Sequence, residues 1–538
     1  MIIFVSDLFV EDYVGGGELT SDAIINSSLL PIRKIYSNKV TTKFMKTHKD
    51  KFWIFSNFAN LSESCIFYAI KNLQYSVLEY DYKYCIFRSP EKHSVISGSC
   101  NCYTQRRGKL ISIFYAKSLQ TWFMSEKQRS NYIDKFAFLD SPNIKVLNSV
   151  FSAETLNYIE SLDTSNKNDK WLISNSPSWV KGTKIAIQYA EENNLEYELV
   201  WGLKHRELLK KMANSRGVLY LPPGGDTCPR FIIEAKMLDC ELILNENVQH
   251  KNEEWFENKQ STIKHMKSRT RIFWLNIENN WGLNTPSYSC TSEKTKFNIV
   301  VPFYNCDPWI LKCLESVHYQ NYSNFQCFIV DDVSTDKSST KIKDFISDKD
   351  RFTLITNKNK KFALSNIANV LNGNTLSSED VNIILDGDDW LSSYNVLSYL
   401  NKVYTEEKSY MTYGTYVYYP QGKIGVEPSE YPEQIIKENL FRQDVWRASH
   451  LRTFKHHLWQ RINMDDLKDK DGNYYQTAYD QALMLPLLEM SSERSKYIDK
   501  IMHVYNRTNP LNVDKVKQQL QYNTSLEIRK KNSYERVD

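Results

Sequence analysis

From Phe297 onward, short apolar runs alternate with longer stretches in which apolar residues return every three or four positions. The runs "FNIVVPF" (297–303), "FQCFIVDD" (325–332), "RFTLIT" (351–356) and "VNIILD" (381–386) predict buried strands. Between them, "PWILKCLESVHYQ" (308–320), a segment from about Ser338, and "FALSNIANVL" (362–371) predict helices. Strands and helices alternating at this spacing predict a parallel sheet with right-handed crossovers, covered on both faces. The same alternation is readable earlier, with strands expected at "MIIFVSD" (1–7), "KFWIFSN" (51–57), "YSVLEY" (75–80), "KWLIS" (170–174), "YELVW" (197–201), "GVLYLP" (217–222) and "ELILN" (241–245). Polar, turn-rich breaks at "DTSNKNDK" (163–170) and "WGLNTPSYSCTSEKTK" (281–296) divide the pattern. The expected organisation is an amino-terminal lobe at 1–165, a second lobe at 166–285, a linker at 286–296 and a third domain at 297–510. A polar tail at 511–538 should be an exposed helix or a frayed end.

Composition narrows the partners. At 538 residues, 41% hydrophobic and 25% charged, the chain can bury several cores. Its net charge of +4 is too near balance to predict nucleic acid as the main partner. The opening "MIIFVSDLF" lacks the basic and long apolar regions of a signal peptide, and no stretch approaches the length of a membrane span. The 10 cysteines, scattered over a long chain, suit reduced thiols. A cytoplasmic protein is expected, in the host cytoplasm if viral, and peripheral membrane contact stays open.

Candidate chemistry sits at the strand ends, where parallel sheets gather their ligands. "NIILDGDDWL" (382–391) places Asp386, Asp388 and Asp389 directly behind a buried strand. Their mutual repulsion is tolerable when water or a hard, oxygen-seeking cation screens it, so a solvated acidic turn and a divalent metal site are both open. Pro302 to Asn305, and Asp331 with Asp332, end two other strands of the same sheet and should line the same crevice. Transfer of a sugar from a nucleotide diphosphate fits this combination: a cation neutralises the leaving diphosphate, one carboxylate holds the nucleotide, and a separate base deprotonates the acceptor hydroxyl.

Taken together, "NIVVPFYN", "FIVDDVSTDKS" and "ILDGDDWL" resemble the inverting glycosyltransferases of family two, with the GT-A fold. The resemblance covers about residues 297–395, with weaker family-like segments to about 510. It implies that Pro302, Tyr304 and Asn305 form the first nucleotide-contacting turn, that Asp332 or Asp331 reads the base, and that Asp386 and Asp388 are the DxD pair. Asp388 would be the direct ligand of Mn²⁺ or Mg²⁺, with Asp389 supporting. Asp480, in "YYQTAYDQALMLPLLEMS", resembles the family's acidic base at a helix amino end, where the dipole stabilises a carboxylate; Glu489 should be an ordinary helix residue. The basic segment "WRASHLRTFKHHLW" reads either as a solvated helix end or as His450 and Arg452 facing the diphosphate or acceptor. One departure concerns the metal-binding histidine common near the last strand: "HVYNRTNPLN" places His503 before the tyrosine and Asn509 near the usual position.

The earlier half carries a second resemblance. "LYLPPGGDTCPRFIIEAKMLDCELILN" contains Asp226 and Glu234 in the spacing of the E-x7-E region of retaining, family-four-like glycosyltransferases with the GT-B fold. In "SWVKGTKIAIQYA", Lys181 and Gly182 resemble that family's phosphate-binding turn. The first acid is Asp rather than Glu, and Ser176 lies near where an Arg is usual, so donor binding survives the comparison better than catalysis. Gly15 to Gly17 are either a ligand-approach loop or a flexible turn. Separately, Cys85, His93, Cys100 and Cys102 fall in one short segment, which suits a structural Zn²⁺ site or buried free thiols.

The resulting expectation is an α/β chain, a GT-B-like pair of Rossmann-like lobes followed by a GT-A domain. Its function would be transfer of a sugar from a nucleotide-diphosphate donor, UDP favoured, to a glycan, lipid-linked or protein-linked acceptor in polysaccharide or glycan synthesis. The first half would be a second transferase or a binding module. The alternatives are a carbohydrate-binding protein on inactive transferase folds, and a phosphohydrolase; the latter would want Thr or Val after the second acid, where Asp389 and Trp390 stand.

Overall fold

Six parallel strands build the first lobe: β1 (Ile2–Ser6), β2 (Ile32–Tyr36), β3 (Phe52–Phe55), β4 (Gln74–Glu79), β5 (Gln120–Phe123) and β6 (Ile144–Val146). Their spatial order is β2-β1-β3-β4-β5-β6, and every pairing is parallel. β1 and β3 are buried along their whole length, which is why they read as uninterrupted apolar runs. A second parallel sheet, in the order β10-β9-β7-β8, is made of β7 (Asn168–Ser174), β8 (Tyr197–Val200), β9 (Ser215–Tyr220) and β10 (Glu241–Leu244). The computed structural model describes residues 1–280, 286, 292–373, 375–512 and 518–537. Residues 281–285 of the expected polar break and 287–291 of the expected linker lie outside them.

The chain divides into two compact units. The first contains Met1–Ser28 and Ile32–Ile277, hence both parallel sheets; the second contains Leu29–Pro31 and Glu278–Asp538. The second unit holds one eight-stranded sheet, made of β11 (Phe297–Phe303), β12 (Phe325–Asp331), β13 (Phe352–Thr356), β14 (Val381–Ile384), β15 (Trp390–Leu391), β16 (Met411–Tyr419), β17 (Arg452–Lys455) and β18 (Ser495–Asn506). In the order β13-β12-β11-β14-β17-β16-β18-β15, the first four strands are parallel. β17 then pairs antiparallel with β14, so the sheet becomes mixed beyond that strand. Helix Ile310–His318 shows why such segments cover the sheet. Ile310, Cys313, Leu314 and Val317 recur at three- and four-residue spacing and are all buried.

The described residues 518–537 of the polar tail form a largely exposed helix and a following segment that are docked rather than frayed. Helix Gln518–Arg529 buries Ile528, Arg529 donates to the carbonyls of Arg442 and Asp444, and Lys531 donates to those of Asp465, Asp466 and Lys468. Charged tips that satisfy backbone carbonyls make a polar sequence pack, which a hydropathy pattern does not reveal. Among the described residues, no helix is long and apolar enough to cross a membrane.

Candidate active site

The acid-bearing loop after β14 is held against β11 by its backbone. Leu385 N–H donates to Val300 O and Gly387 N–H to Pro302 O, both at 3.1 Å. Gly387 is required by space: a Cβ there would stand 2.5 Å from Phe303 Cβ. The loop therefore lies flat on the end of β11 and delivers its three acids beside the first strand-end turn. A cleft of about 470 Å³ opens there, lined among others by Pro302, Tyr304, Asp332, Asp386, Asp388, Asp389, His450, Arg452 and Asp480.

The three acids have different surroundings. Asp386 accepts from Tyr479 Oη at 2.6 Å and from Arg452 Nη2 at 3.3 Å. Asp388 accepts from Asn509 Nδ2 at 2.7 Å, yet burial, then the charges of Asp389 and Asp386, push its carboxyl up to about 8. Asp389 is buried, with His503 Nε2 2.8 Å from one oxygen and Asn506 N–H donating to the other at 2.8 Å. Burial, then the Arg452 charge, lowers His503 to about 3, so the neutral ring presents Nε2–H to Asp389. His450 stacks on His503 at 4.3 Å, and Asp389, His450 and His503 bring their ligand atoms within 4.8 Å of one another.

Arg452 is the cleft's buried cation. Its Nε and Nη1 have no hydrogen-bond partner, while Nη2 serves Asp386 and His450 Nδ1 at 2.9 Å. A guanidinium at the wall of a cleft suits an anionic ligand. Asp480 sits in the first turn of helix Tyr479–Ser491, and burial, opposed by Arg452, raises its pKa above the ordinary carboxylate value. The basic segment around Arg452 is split by the fold. His450 and Arg452 line the cleft, whereas Arg447 pairs with Asp444, Lys455 with Glu379, and His456 is buried.

Asp331 and Asp332 also part. Asp331 spends its carboxylate locally, on Ser334 N–H at 2.8 Å and the Ser339 hydroxyl, and does not line the cleft. Asp332 does line it, and accepts from Asn357 Nδ2, Lys361 N–H and Phe362 N–H at 3.0, 2.7 and 2.9 Å. Burial works against its charge, but these donors prevail and hold its pKa below the usual value. Asn305 is likewise bonded locally and absent from the cleft lining, with a left-handed backbone (φ 51°) and its Oδ1 accepting from Thr335 N–H at 2.8 Å. Sequence reasoning missed Lys360, whose Nζ lies 3.2 Å from the Tyr304 ring centroid, as well as Tyr479, Asn366 and Tyr505 in the lining. Tyr479 had one signal, its position next to Asp480. Glu489 is buried in a two-pronged pair with Arg442, at 2.6 and 2.9 Å.

The amino-terminal unit has its own cleft of about 330 Å³, lined by Tyr80, Asp81, Arg88, Ser178, Trp179 and Asp226 among others. Asp226 is occupied by Lys181 Nζ at 2.7 Å and Tyr220 Oη at 2.5 Å. Glu234 is buried away from the lining, 2.8 Å from His205 Nε2 and 3.6 Å from Arg230 Nε. Gly182 has φ 64°, and a Cβ on it would stand 2.0 Å from Leu221 O, so packing alone demands glycine there. Gly15 to Gly17 open helix Gly16–Asn26, outside the cleft lining.

The parallel strands, the mixed extension beyond β17 and the strand-end acids give the carboxyl-terminal unit the α/β sheet and acid-lined strand ends that the resemblance to the GT-A fold implies. Residues 298–465 match the family described as "Glycosyl transferase family 2". "Glycosyltransferase GlyA" of Streptococcus pneumoniae serotype 4 is 24% identical over 225 residues, 39% of this chain and 30% of that protein. "Teichoic acid poly(glycerol phosphate) polymerase" of Staphylococcus epidermidis is 34% identical over 112 residues, 20% of this chain and 15% of that protein. The crystal structure of S. aureus TarS 1-349 in complex with UDP-GlcNAc aligns at 16% identity and a TM-score of 0.34, covering 43% of this chain and 64% of that one. The chain spans less than two thirds of the length of each of these three.

Proposed function

We propose that the carboxyl-terminal unit transfers a sugar from a nucleotide-diphosphate donor, UDP-linked in the first instance, to a hydroxyl of a glycan, lipid-linked or protein-linked acceptor, with inversion. The observation that carries this reading is the meeting of Asp332, Asp388, Asp480 and Arg452 in one cleft at the carboxyl ends of parallel strands. Asp332 is the group to read the base, and Arg452, which lines the same cleft, is the cation to face the diphosphate. Asp480, at a helix amino end, is the base that takes the acceptor proton.

A divalent cation, Mn²⁺ or Mg²⁺, fits the acids. A carboxyl pushed up to about 8 by burial and two neighbouring acids is one whose ionised form lacks a counter-charge, and a cation supplies it. Asp388 would hold it, with Asp386 beside it and Asn509 orienting Asp388. When bound, the ion neutralises charge on the leaving diphosphate.

For the amino-terminal unit the reading is ligand binding without turnover. It is favoured by Asp226 being tied to Lys181 and Tyr220, and by the burial of Glu234.

The test is release of free nucleotide from UDP-, GDP- and dTDP-sugars with Mn²⁺, Mg²⁺ or chelator and a panel of acceptors. Metal-dependent release lost in Asp388→Ala and kept in Glu234→Ala supports both assignments. Release that survives Asp388→Ala but not Glu234→Ala moves the activity to the first unit, and binding of donor without any release overturns the transferase reading.

A further inference from the structure

In the first lobe, far along the sequence from the acids of the carboxyl-terminal cleft, Cys85, His93, Cys100 and Cys102 bring their ligand atoms within 4.8 Å of one another. Cys85 Sγ stands 3.6 Å from His93 Nδ1 and 3.7 Å from Cys100 Sγ, and Cys102 Sγ stands 3.3 Å from His93 Nδ1. Four ligands around a tetrahedral zinc ion, with Zn–S about 2.3 Å and Zn–N about 2.0 Å, must lie about 3.5–3.8 Å apart. A disulfide instead needs its sulfurs at about 2.05 Å. The spacing is that of a metal cage rather than of a cystine.

The backbone sets three of the four ligands through its own bonds. Cys85 stands in a turn in which its N–H donates to Tyr82 O at 2.8 Å and its carbonyl accepts from Arg88 N–H at 2.9 Å. His93 lies on helix Pro90–Ser97, whose Ser89 cap accepts from Lys92 N–H. Cys102 opens a single 3₁₀ turn pressed against Gly108, where a Cβ would stand 2.2 Å from Cys102 O. Cys85, His93 and Cys102 are buried and Cys100 is partly so, which excludes water from the centre. His93 offers Nδ1 to two sulfurs, leaving Nε2 to carry the ring proton.

We propose that Cys85, His93, Cys100 and Cys102 form a structural Zn²⁺ site that braces one wall of the amino-terminal cleft. Three thiolates and one imidazole are a closed, soft ligand set with no position left for a reacting group, so the ion's role is to hold the chain. Binding releases the three thiol protons to solvent, and no electron changes hands. What it holds is specific: the segment between Cys85 and His93 supplies Phe87, Arg88, Ser89 and Lys92 to the cleft lining. Arg88 also donates to Asp81 in the same wall, and to Asn57 Oδ1 at 2.8 Å. The zinc site thus ties the shape of a ligand cleft to a group that takes no part in any reaction.

The experiment uses the full chain purified under reducing conditions. Elemental analysis should find one zinc ion per chain, retained in Asp388→Ala and lost in Cys85→Ser combined with Cys102→Ser. Because that double variant can fail for lack of folding, wild-type protein stripped of metal is also titrated with Co²⁺. The expected result is the intense thiolate charge-transfer and tetrahedral d–d absorption of cobalt bound to sulfur, restored in His93→Cys, which offers four thiolates. Limited proteolysis of the stripped protein should cut within residues 86–101 and zinc should protect them. The proposal is overturned if native mass spectrometry finds the wild type metal-free in the presence of equimolar Zn²⁺. A Cys85–Cys100 disulfide in place of the metal overturns it equally.

Discussion

Tyr479 donates its hydroxyl to Asp386 Oδ1 at 2.6 Å. With Arg452 on the other oxygen, Asp386 has both its charge and its lone pairs answered inside the protein, whereas Asp388 is left with a carboxyl pushed up to about 8 by burial and its acidic neighbours. Two acids one residue apart have thus been given opposite needs. Asp386 has Arg452 and Tyr479 as partners, and Asp388 is the acid for which the proposed cation would supply the missing counter-charge.

Substituting Asp388→Asn should remove metal-dependent nucleotide release. Asn509→Ala, which deletes the amide that orients Asp388, should weaken the metal requirement more gently, by about 10–100-fold in apparent affinity. Titrating Mn²⁺ against turnover for both variants is the check; an unchanged metal dependence in Asn509→Ala would detach Asp388 from the metal.

Asp480 should set the acid limb of the pH profile. Burial favours its protonated form, so the fraction in the basic, working state falls as pH drops through a pKa above the ordinary aspartate value of about 3.9. kcat/KM should therefore rise with pH through that raised value. Asp480→Asn should cost about 10²–10⁴ in kcat without loss of donor binding, measured by calorimetry. A limb at the ordinary carboxylate position in the wild type would sink the assignment.

Arg442 and Glu489 form a pair that is nearly without solvent, 3% and 0% exposed at the side chains. Glu489→Ala strands the guanidinium, a change worth about 3–5 kcal/mol of stability. Because Glu489 also accepts from Tyr534 N–H, the same variant should loosen the docked carboxyl-terminal segment. Hydrogen exchange over residues 518–537 reads the loosening, and exchange there identical to wild type would show that the tail is held by other contacts.

His250 should make the amino-terminal unit acid-sensitive. It is fully buried against Trp255 and Phe256, neither ring nitrogen has a hydrogen-bond partner, and burial lowers its pKa to about 3. The unfolded chain takes up a proton near pH 6.5 and the folded one does not until about 3, so stability is lost as pH falls through that window. His250→Phe should flatten the loss, by about 1.4 kcal/mol for each pH unit inside the window. Thermal unfolding of both proteins between pH 7 and 4 tests this, and parallel curves would contradict it.

Some strands whose two faces are both covered were legible because nearly all their letters are apolar. β1, β3, β11 and β14 are of this kind. β2, with Arg33 and Lys34 on a sheet edge, and the four-residue β5 carry too little contrast with their surroundings. β16 and β18, which pair parallel with each other beyond the antiparallel β17, are rich in tyrosine and in polar letters and so lack the uniform apolar pattern of the first strands. At the site, the strand-end acids announce themselves by local spacing. Lys360, Tyr479 and Asn509 do not, since each is brought to its partner, Tyr304, Asp386 or Asp388, by the tertiary fold. Nor does spacing tell Asp331 from Asp332: only the fold shows that one ties off its own turn and the other faces the cleft.

Gly387 works as a gauge block. With room for a hydrogen atom only between its α-carbon and Phe303, it sets how far the turn after β11 stands from the acids after β14, backbone against side-chain root. Exchanging side chains elsewhere in the lining leaves that backbone span in place. Retuning of what the cleft accepts and the metric that positions the acids are therefore separable properties of this chain, the first open to drift and the second pinned by a missing methyl group.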